Sequence, residues 1–251
     1  MSAKFIHLHL HTEYSLVDSV VRVKNLMQAA AEAQSPAVAM TDQGNLFAMV
    51  KFYRAAMQHG LKPIIGTDIW LRSWPDEPEP SRLILLCGDI CGYQNLSRLL
   101  TRMYLEGLEN GLPVLRRDWL NSNSVAGLLA LSGGREGVIG RDLLAGRTVE
   151  AAQAVEQLRE LFAGDFFLEL QRTGRPREEE YIELAVDLAA TSGCPIVASN
   201  DVRFLRKEDF EAHEARVCIQ QGRVLSDKDR PRDYSEQQYL RTEAEMVELY
   251  G

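Results

Sequence analysis

The chain has 251 residues, 45% hydrophobic and 25% charged, which suits one large globular α/β domain with a well-formed core. Its formal net charge of -8 repels phosphate backbones, so little direct DNA binding is expected of this chain itself. No apolar run approaches a transmembrane length, MSAKFIHLHLH lacks the features of a signal peptide, and Cys87, Cys91, Cys194 and Cys218 have no CxxC spacing, so a cytoplasmic protein with reduced, mostly buried thiols is expected.

In chain order, a strand over 5–10 comes first, and His7, His9 and, at its end, His11 stand at alternate positions. Alternate residues of a strand share a face, so the three imidazoles should converge, which is how a protein holds a transition metal. A neutral, hydrogen-bonded histidine cluster is the plainer alternative. A helix over 21–34, a strand over 37–41 and a helix over 46–59 stopped by Gly60 follow. Then come a strand over 63–72, an exposed Pro-rich loop over 74–80, a strand over 82–87 and a helix over 92–107. Strands over 127–131, 166–171 and 195–200 alternate with helices over 148–163, 178–191 and 207–221. Several strands are short unbroken apolar runs, the pattern of strands buried on both faces of a parallel sheet. Seven strands, most followed by a helix, predict a closed or nearly closed βα barrel over 1–225, with an open doubly wound sheet as the runner-up. The charged, turn-rich 227–234 sets off a last helix over 235–250, so 226–251 reads as a C-terminal helical appendage. The chain ends directly after that helix, as expected of a piece of something longer.

In a βα barrel, chemistry sits at the C-terminal ends of the strands. The polar residues there are His9, His11 and Asp18, then Asp42, Asp68 and Asp89, then Glu169 and Arg172, and finally Asn200, Asp201 and Arg203. Carboxylates and imidazoles meeting at one mouth suit a divalent-metal phosphoesterase. Plainer roles compete for some histidines and acids. Asp42, before Gly44-Asn45-Leu46, reads as a helix N-cap, His59 as a helix-end residue, and His213 as a packed core histidine.

The segment FIHLHLHTEYSLVDS resembles the first motif of the PHP (polymerase and histidinol phosphatase) domain. AMTDQGNL, KPIIGTDIWL, GYQNL, LALSGG, FFLELQRTGRP and IVASNDVRFL continue the resemblance in order, over about 5–250. The form it resembles opens the alpha subunit of bacterial replicative DNA polymerase III, in its proteobacterial version. The resemblance implies a seven-stranded distorted, TIM-like βα barrel. Active members bind up to three divalent metals, typically zinc or manganese, and hydrolyse phosphoesters. His9 and His11 match the first-motif ligands, Asp18 its closing acid and Asp201 the acidic ligand of the last motif. Asp68 stands where a Glu is usual, and His7 where many active relatives have a structural Asp or His. Five other ligand positions are replaced: Gln43, Arg82, Thr173 and Arg203 stand for His, and Gly134 for Cys.

A three-metal cage cannot survive these losses, because each ion takes about four to six donors. The resemblance therefore implies a degenerate site with no catalytic residue in this chain and at most one weakly held zinc or manganese ion. The magnesium of polymerisation belongs to a polymerase domain absent here. Without metal, Asp18, Asp68 and Asp201 would crowd as like charges, so Arg82, Arg203 or both are expected to fill the old cavity and pair with them. Solvent-exposed arginines at a barrel rim are the plain alternative. The family further implies a DNA-directed DNA polymerase as the parent chain. This module would dock the proofreading exonuclease (epsilon) subunit, brace the polymerase thumb, and reach other holoenzyme subunits through the parent chain. The competing readings are a working metal-dependent phosphoesterase or 3'-5' proofreading exonuclease, and a stabilising element with no partner of its own.

Overall fold

A computed structural model describes residues 5–16, 18–73 and 77–251. The start of the expected exposed loop, 74–76, lies outside the described residues, while Pro78 and Glu79 are exposed. The elements in chain order are α1 (Val23–Glu32), β1 (Ala37–Gln43), α2 (Met49–Gln58), β2 (Lys62–Arg72), β3 (Ser81–Cys87) and α3 (Ile90–Glu106), followed by β4 (Leu108–Glu109), β5 (Leu112–Arg116) and β6 (Leu128–Leu131). After them come α4 (Val138–Leu144), α5 (Thr148–Leu161), β7 (Phe166–Gln171), α6 (Glu178–Ser192), β8 (Ile196–Ser199), α7 (Phe210–Gln221) and α8 (Glu243–Tyr250). They fall into two compact units: Met1–Ile65 with Arg172–Pro176 and Ser199–Gly251, and Gly66–Gln171 with Arg177–Ala198.

In the first unit the histidine-bearing segment is extended but is not a regular strand. On one side the His7 and Leu10 carbonyls accept from Ala39 N (3.0 Å) and Thr41 N (2.8 Å) of β1. Two residues of β1 thus span three of this segment, the signature of a bulge. On the other side Val202 N donates to the His9 carbonyl at 3.1 Å and His11 N to the Val202 carbonyl at 2.9 Å. Beneath this backbone Leu10, Val21, Leu26, Met27, Val38, Met40, Phe52 and Val202 form a fully buried cluster. The face of α1 carrying Val23, Leu26, Met27 and Ala30 packs into it, as its spacing predicts. Residues 200–204 are stitched to the C-terminal segment. Asn200 Nδ2 donates to the Gln237 and Tyr239 carbonyls, Arg203 N to the Gln238 carbonyl, and Leu240 N to the Phe204 carbonyl. The expected helix over 235–250 is helical only as α8, which starts at a capping box of Thr242 and Glu245.

The second unit carries a mixed sheet in the order β4-β5-β2-β3-β6-β7-β8. β2–β5 and β6–β7 are parallel, whereas β2–β3 and β3–β6 are antiparallel. The apolar runs therefore reported burial, not strand direction. β1 also pairs with β2, giving eight strands among the described residues. The expected strand over 5–10 is not one of them, and the β4–β5 hairpin was not expected. Its turn is Asn110-Gly111, both at positive φ (52° and 83°), a strong hairpin signal. Helix α4 is the other unexpected element. Its approach is glycine-bound: a Cβ on Gly137 would fall 1.7 Å from the Ser132 carbonyl oxygen.

Candidate functional site

His9 and His11 stay two apart on one face, and their ring centroids lie 5.5 Å apart. His7 leaves them because the bulge between His7 and Leu10 breaks the alternation. Its Nε2 donates to the Arg241 carbonyl at 2.8 Å and its ring stands edge-on to Phe5. The expected convergence of three imidazoles is therefore a convergence of two. Burial pushes the His7 pKa down to about 4, against the smaller opposing effect of that hydrogen bond.

Asp201 completes a buried group: ligand atoms of His9, His11 and Asp201 all lie within 4.8 Å of one another. His9 Nε2 is 3.4 Å from Asp201 Oδ1. Asp201 adopts φ +46°, a left-handed conformation uncommon outside glycine. Such strain persists where surrounding bonds over-determine it, and here the carboxylate is held from several sides.

The chief holder is Arg203, whose side chain is 1% exposed. Its Nε and Nη2 reach Asp201 Oδ1 at 2.8 and 2.6 Å. Its Nη1 donates to Asp18 Oδ2 and, at 2.8 Å, to His11 Nδ1. A guanidinium can only donate, so His11 Nδ1 accepts and the ring proton sits on Nε2. Arg175 Nη1 lies 3.5 Å from Asp201 Oδ2, and Gln238 Nε2 donates to the same oxygen at 2.8 Å. Tyr234 OH donates to Asp18 Oδ2 at 3.2 Å, and His213 Nε2 donates to the Asp18 carbonyl at 3.0 Å. Burial also lowers the His213 pKa. Two guanidinium charges thus face two buried carboxylates. The donor spacing fits one divalent ion on His9, His11 and Asp201. Three donors are fewer than a closed zinc site takes, and Arg203 already bonds two of them.

The neighbouring positions make hydrogen bonds of their own. Asp42 is not the expected helix cap. It accepts from Thr12 N (2.6 Å), Thr12 Oγ1 (2.8 Å) and Ser15 Oγ (2.8 Å), pinning the turn after His11. Burial raises its pKa above the usual carboxylate value. α2 instead starts at Ala48 without a side-chain cap, and Asp89 is a true cap, accepting from Gly92 N at the head of α3. The Gln43 backbone N–H donates to Ser15 Oγ at 3.1 Å. Buried Thr173 accepts from Arg175 Nε at 3.0 Å, and its carbonyl accepts from Ser235. His59 bonds the Ala55 carbonyl at the end of α2.

The second unit holds the other arginine replacement, Arg82, together with Asp68. Asp68 on β2 is fully buried and pairs with Arg82 of β3, which is 7% exposed. The register sets Arg82 opposite Trp70, and its guanidinium lies 4.5 Å from the centre of that ring. Glu136 approaches Arg82 Nε at 3.5 Å. Gly134 lies at φ +58° against Gln171, whose Oε1 is 3.1 Å from where a Cβ would stand. Glu169 is buried on β7, its backbone N–H donating to Ser132 Oγ at 2.9 Å. Both arginines expected to pair with carboxylates do so.

Sequence reasoning missed Arg175, Tyr234, Gln238 and the contact of His213 with Asp18. Arg175 follows Thr173 by two residues within the last words of a motif and was legible there. Tyr234 and Gln238 lie more than 200 residues from His11, and no local pattern links them. Of the four free thiols, Cys194 and Cys218 are buried as expected, while Cys87 is half-buried and Cys91 exposed. No helix among the described residues is long and apolar enough to cross a membrane.

Residues 7–173 match the family model described as the PHP domain. The DNA polymerase III subunit alpha of Pseudomonas aeruginosa is 50% identical over 100% of this chain and 21% of its own length. That of Escherichia coli K12 is 44% identical over 99% of this chain and 21% of its length. The chain thus spans about one fifth of the length of these curated relatives. Among solved structures, an amidohydrolase from Chromobacterium violaceum shares the fold at a TM-score of 0.54, with 13% identity, covering 84% of this chain and 96% of that one. A family model matched over 7–173, about two thirds of the chain, and relatives 44–50% identical over essentially all of it place the chain in the PHP domain family.

Proposed function

We propose that this chain is the PHP domain of a DNA polymerase III alpha subunit in the cytoplasm, acting as a structural module that docks the proofreading exonuclease subunit and braces the polymerase. The parent chain would transfer deoxynucleotides to a primer end through magnesium-dependent carboxylates in another domain, and would reach further holoenzyme subunits. The relatives' shared name supports the parent assignment. The observation that carries the structural role is buried Arg203, bonded to Asp18, Asp201 and His11. It supplies inside the donor set the positive charge that a metal would supply. It also occupies His11 Nδ1, one of the two nitrogens through which that ring could ligate. A divalent ion beside it would meet a like charge.

One second reading has support of its own. His9, His11 and Asp201 could hold a single ion, zinc or manganese, which would supply Lewis-acid chemistry for phosphoester hydrolysis. The full-length protein, freed of exonuclease subunit, decides between them in a phosphoester and 3'-end hydrolysis assay with added zinc or manganese. The structural reading expects no turnover sensitive to His9→Ala, and expects the exonuclease subunit to co-purify with the full-length chain. Turnover abolished by His9→Ala would overturn it.

A further inference from the structure

α2 is apolar on both of its sides. Phe52 and Ala56 are buried inward. On the outward side Val50, Tyr53 and Met57, spaced i, i+3 and i+7 and so on one stripe, are 55%, 51% and 57% exposed, and Phe47 one turn earlier is 64% exposed. Isolated exposed apolar residues are ordinary, but three on one helical stripe, with Phe47 just before the helix, form a patch of the kind that marks an interaction site.

The charge around the stripe is as selective. Residues 46–60 contain Lys51 and Arg54 and no Asp or Glu, in a chain of net charge -8. Lys51 leans on Glu13 at 3.0 Å, whereas Arg54 has no acidic partner among the described residues. A face with apolar anchors and local positive charge complements an amphipathic segment with carboxylates beside its apolar residues. Phe47 and Tyr53 could stack on bases, but two cations, one of them already paired with Glu13, neutralise little phosphate, so nucleic acid fits less well.

We infer that the outward face of α2 is where the exonuclease subunit docks, through an acidic amphipathic segment whose apolar side covers Phe47, Val50 and Met57 and whose carboxylates reach Arg54 and Lys51. This inference rests on the docking role proposed above.

The test titrates the exonuclease subunit against the full-length chain and its Val50→Asp and Arg54→Glu variants. Both positions are exposed, so melting temperatures should hold. Each variant should bind at least about tenfold more weakly, the loss expected of a truncated anchor, and Arg54→Glu should also flatten the salt dependence. Unchanged binding by both variants overturns the α2 surface while leaving the docking role standing. Failure of the unaltered chain to bind overturns both. In parallel, Val50→Cys in the full-length chain is labelled with a maleimide and read peptide by peptide. Rapid labelling that the exonuclease subunit suppresses is the expected result. No labelling of the partner-free chain means that the rest of the parent chain covers the face, and protection by a single-stranded oligonucleotide alone means a nucleic-acid surface; either overturns the inference.

Discussion

Arg203 sits sealed from water between Asp18 and Asp201, and its charge is what lets both carboxylates stay there ionised. Arg203→Ala leaves two buried acids without their main counter-charge. We expect it to lower stability by about 3–5 kcal/mol, the cost of breaking a buried pair, measured by denaturant unfolding of the full-length chain followed at this domain. Arg203→Lys keeps the charge but loses the fork that spans both acids, so it should fall in between. His7 makes a pH prediction. Its folded pKa of about 4 lies below the ordinary 6.5, so between those values the unfolded chain binds the extra proton. Its contribution is therefore complete above about pH 6.5 and is lost as pH falls toward 4, amounting to about 3 kcal/mol. His7→Gln retains a donor for the Arg241 carbonyl without titrating, so its acid unfolding curve should lack that part of the slope.

At the scale of elements, the antiparallel register of β2 and β3 brings Asp68 and Arg82 together from strands joined by a loop. Either single alanine variant strands a buried partner, and Arg82→Ala should cost about 3–5 kcal/mol. The double variant should recover about 1–3 kcal/mol against the sum of the singles, as coupled neighbours do; strict additivity in a double-mutant cycle would refute the pair. Most elements were legible in the sequence, because α1, α2, α3, α5 and α6 show helical spacing with clear stops and the buried strands are unbroken apolar runs. Besides the short helix α4, three features were not read. The Asn110-Gly111 hairpin carries a local signal that the adjacent helix obscured. Strand direction leaves no trace in a run buried on both faces. The bulge that turns His7 away depends on how β1 pairs with the segment, which no single-segment pattern encodes. The candidate site was legible as far as motifs reach: His9, His11, Asp18, Asp201 and both arginine pairings. Tyr234 and Gln238 join it only through long-range packing.

At the scale of the whole molecule, the chain is about one fifth of its relatives' length and bears an acidic charge, so its proposed work is done on proteins. Its ligand set keeps three donors in reach of one ion and sets a fixed cation against two of them. Whether arginine or metal supplies the charge is the question on which the structural role turns. The most direct measurement is the zinc and manganese content per chain, by elemental mass spectrometry, of the full-length protein beside its His9→Ala variant. Our account predicts that both carry the same amount, with no ion attributable to this site. One equivalent in the unaltered protein that disappears in His9→Ala would contradict it.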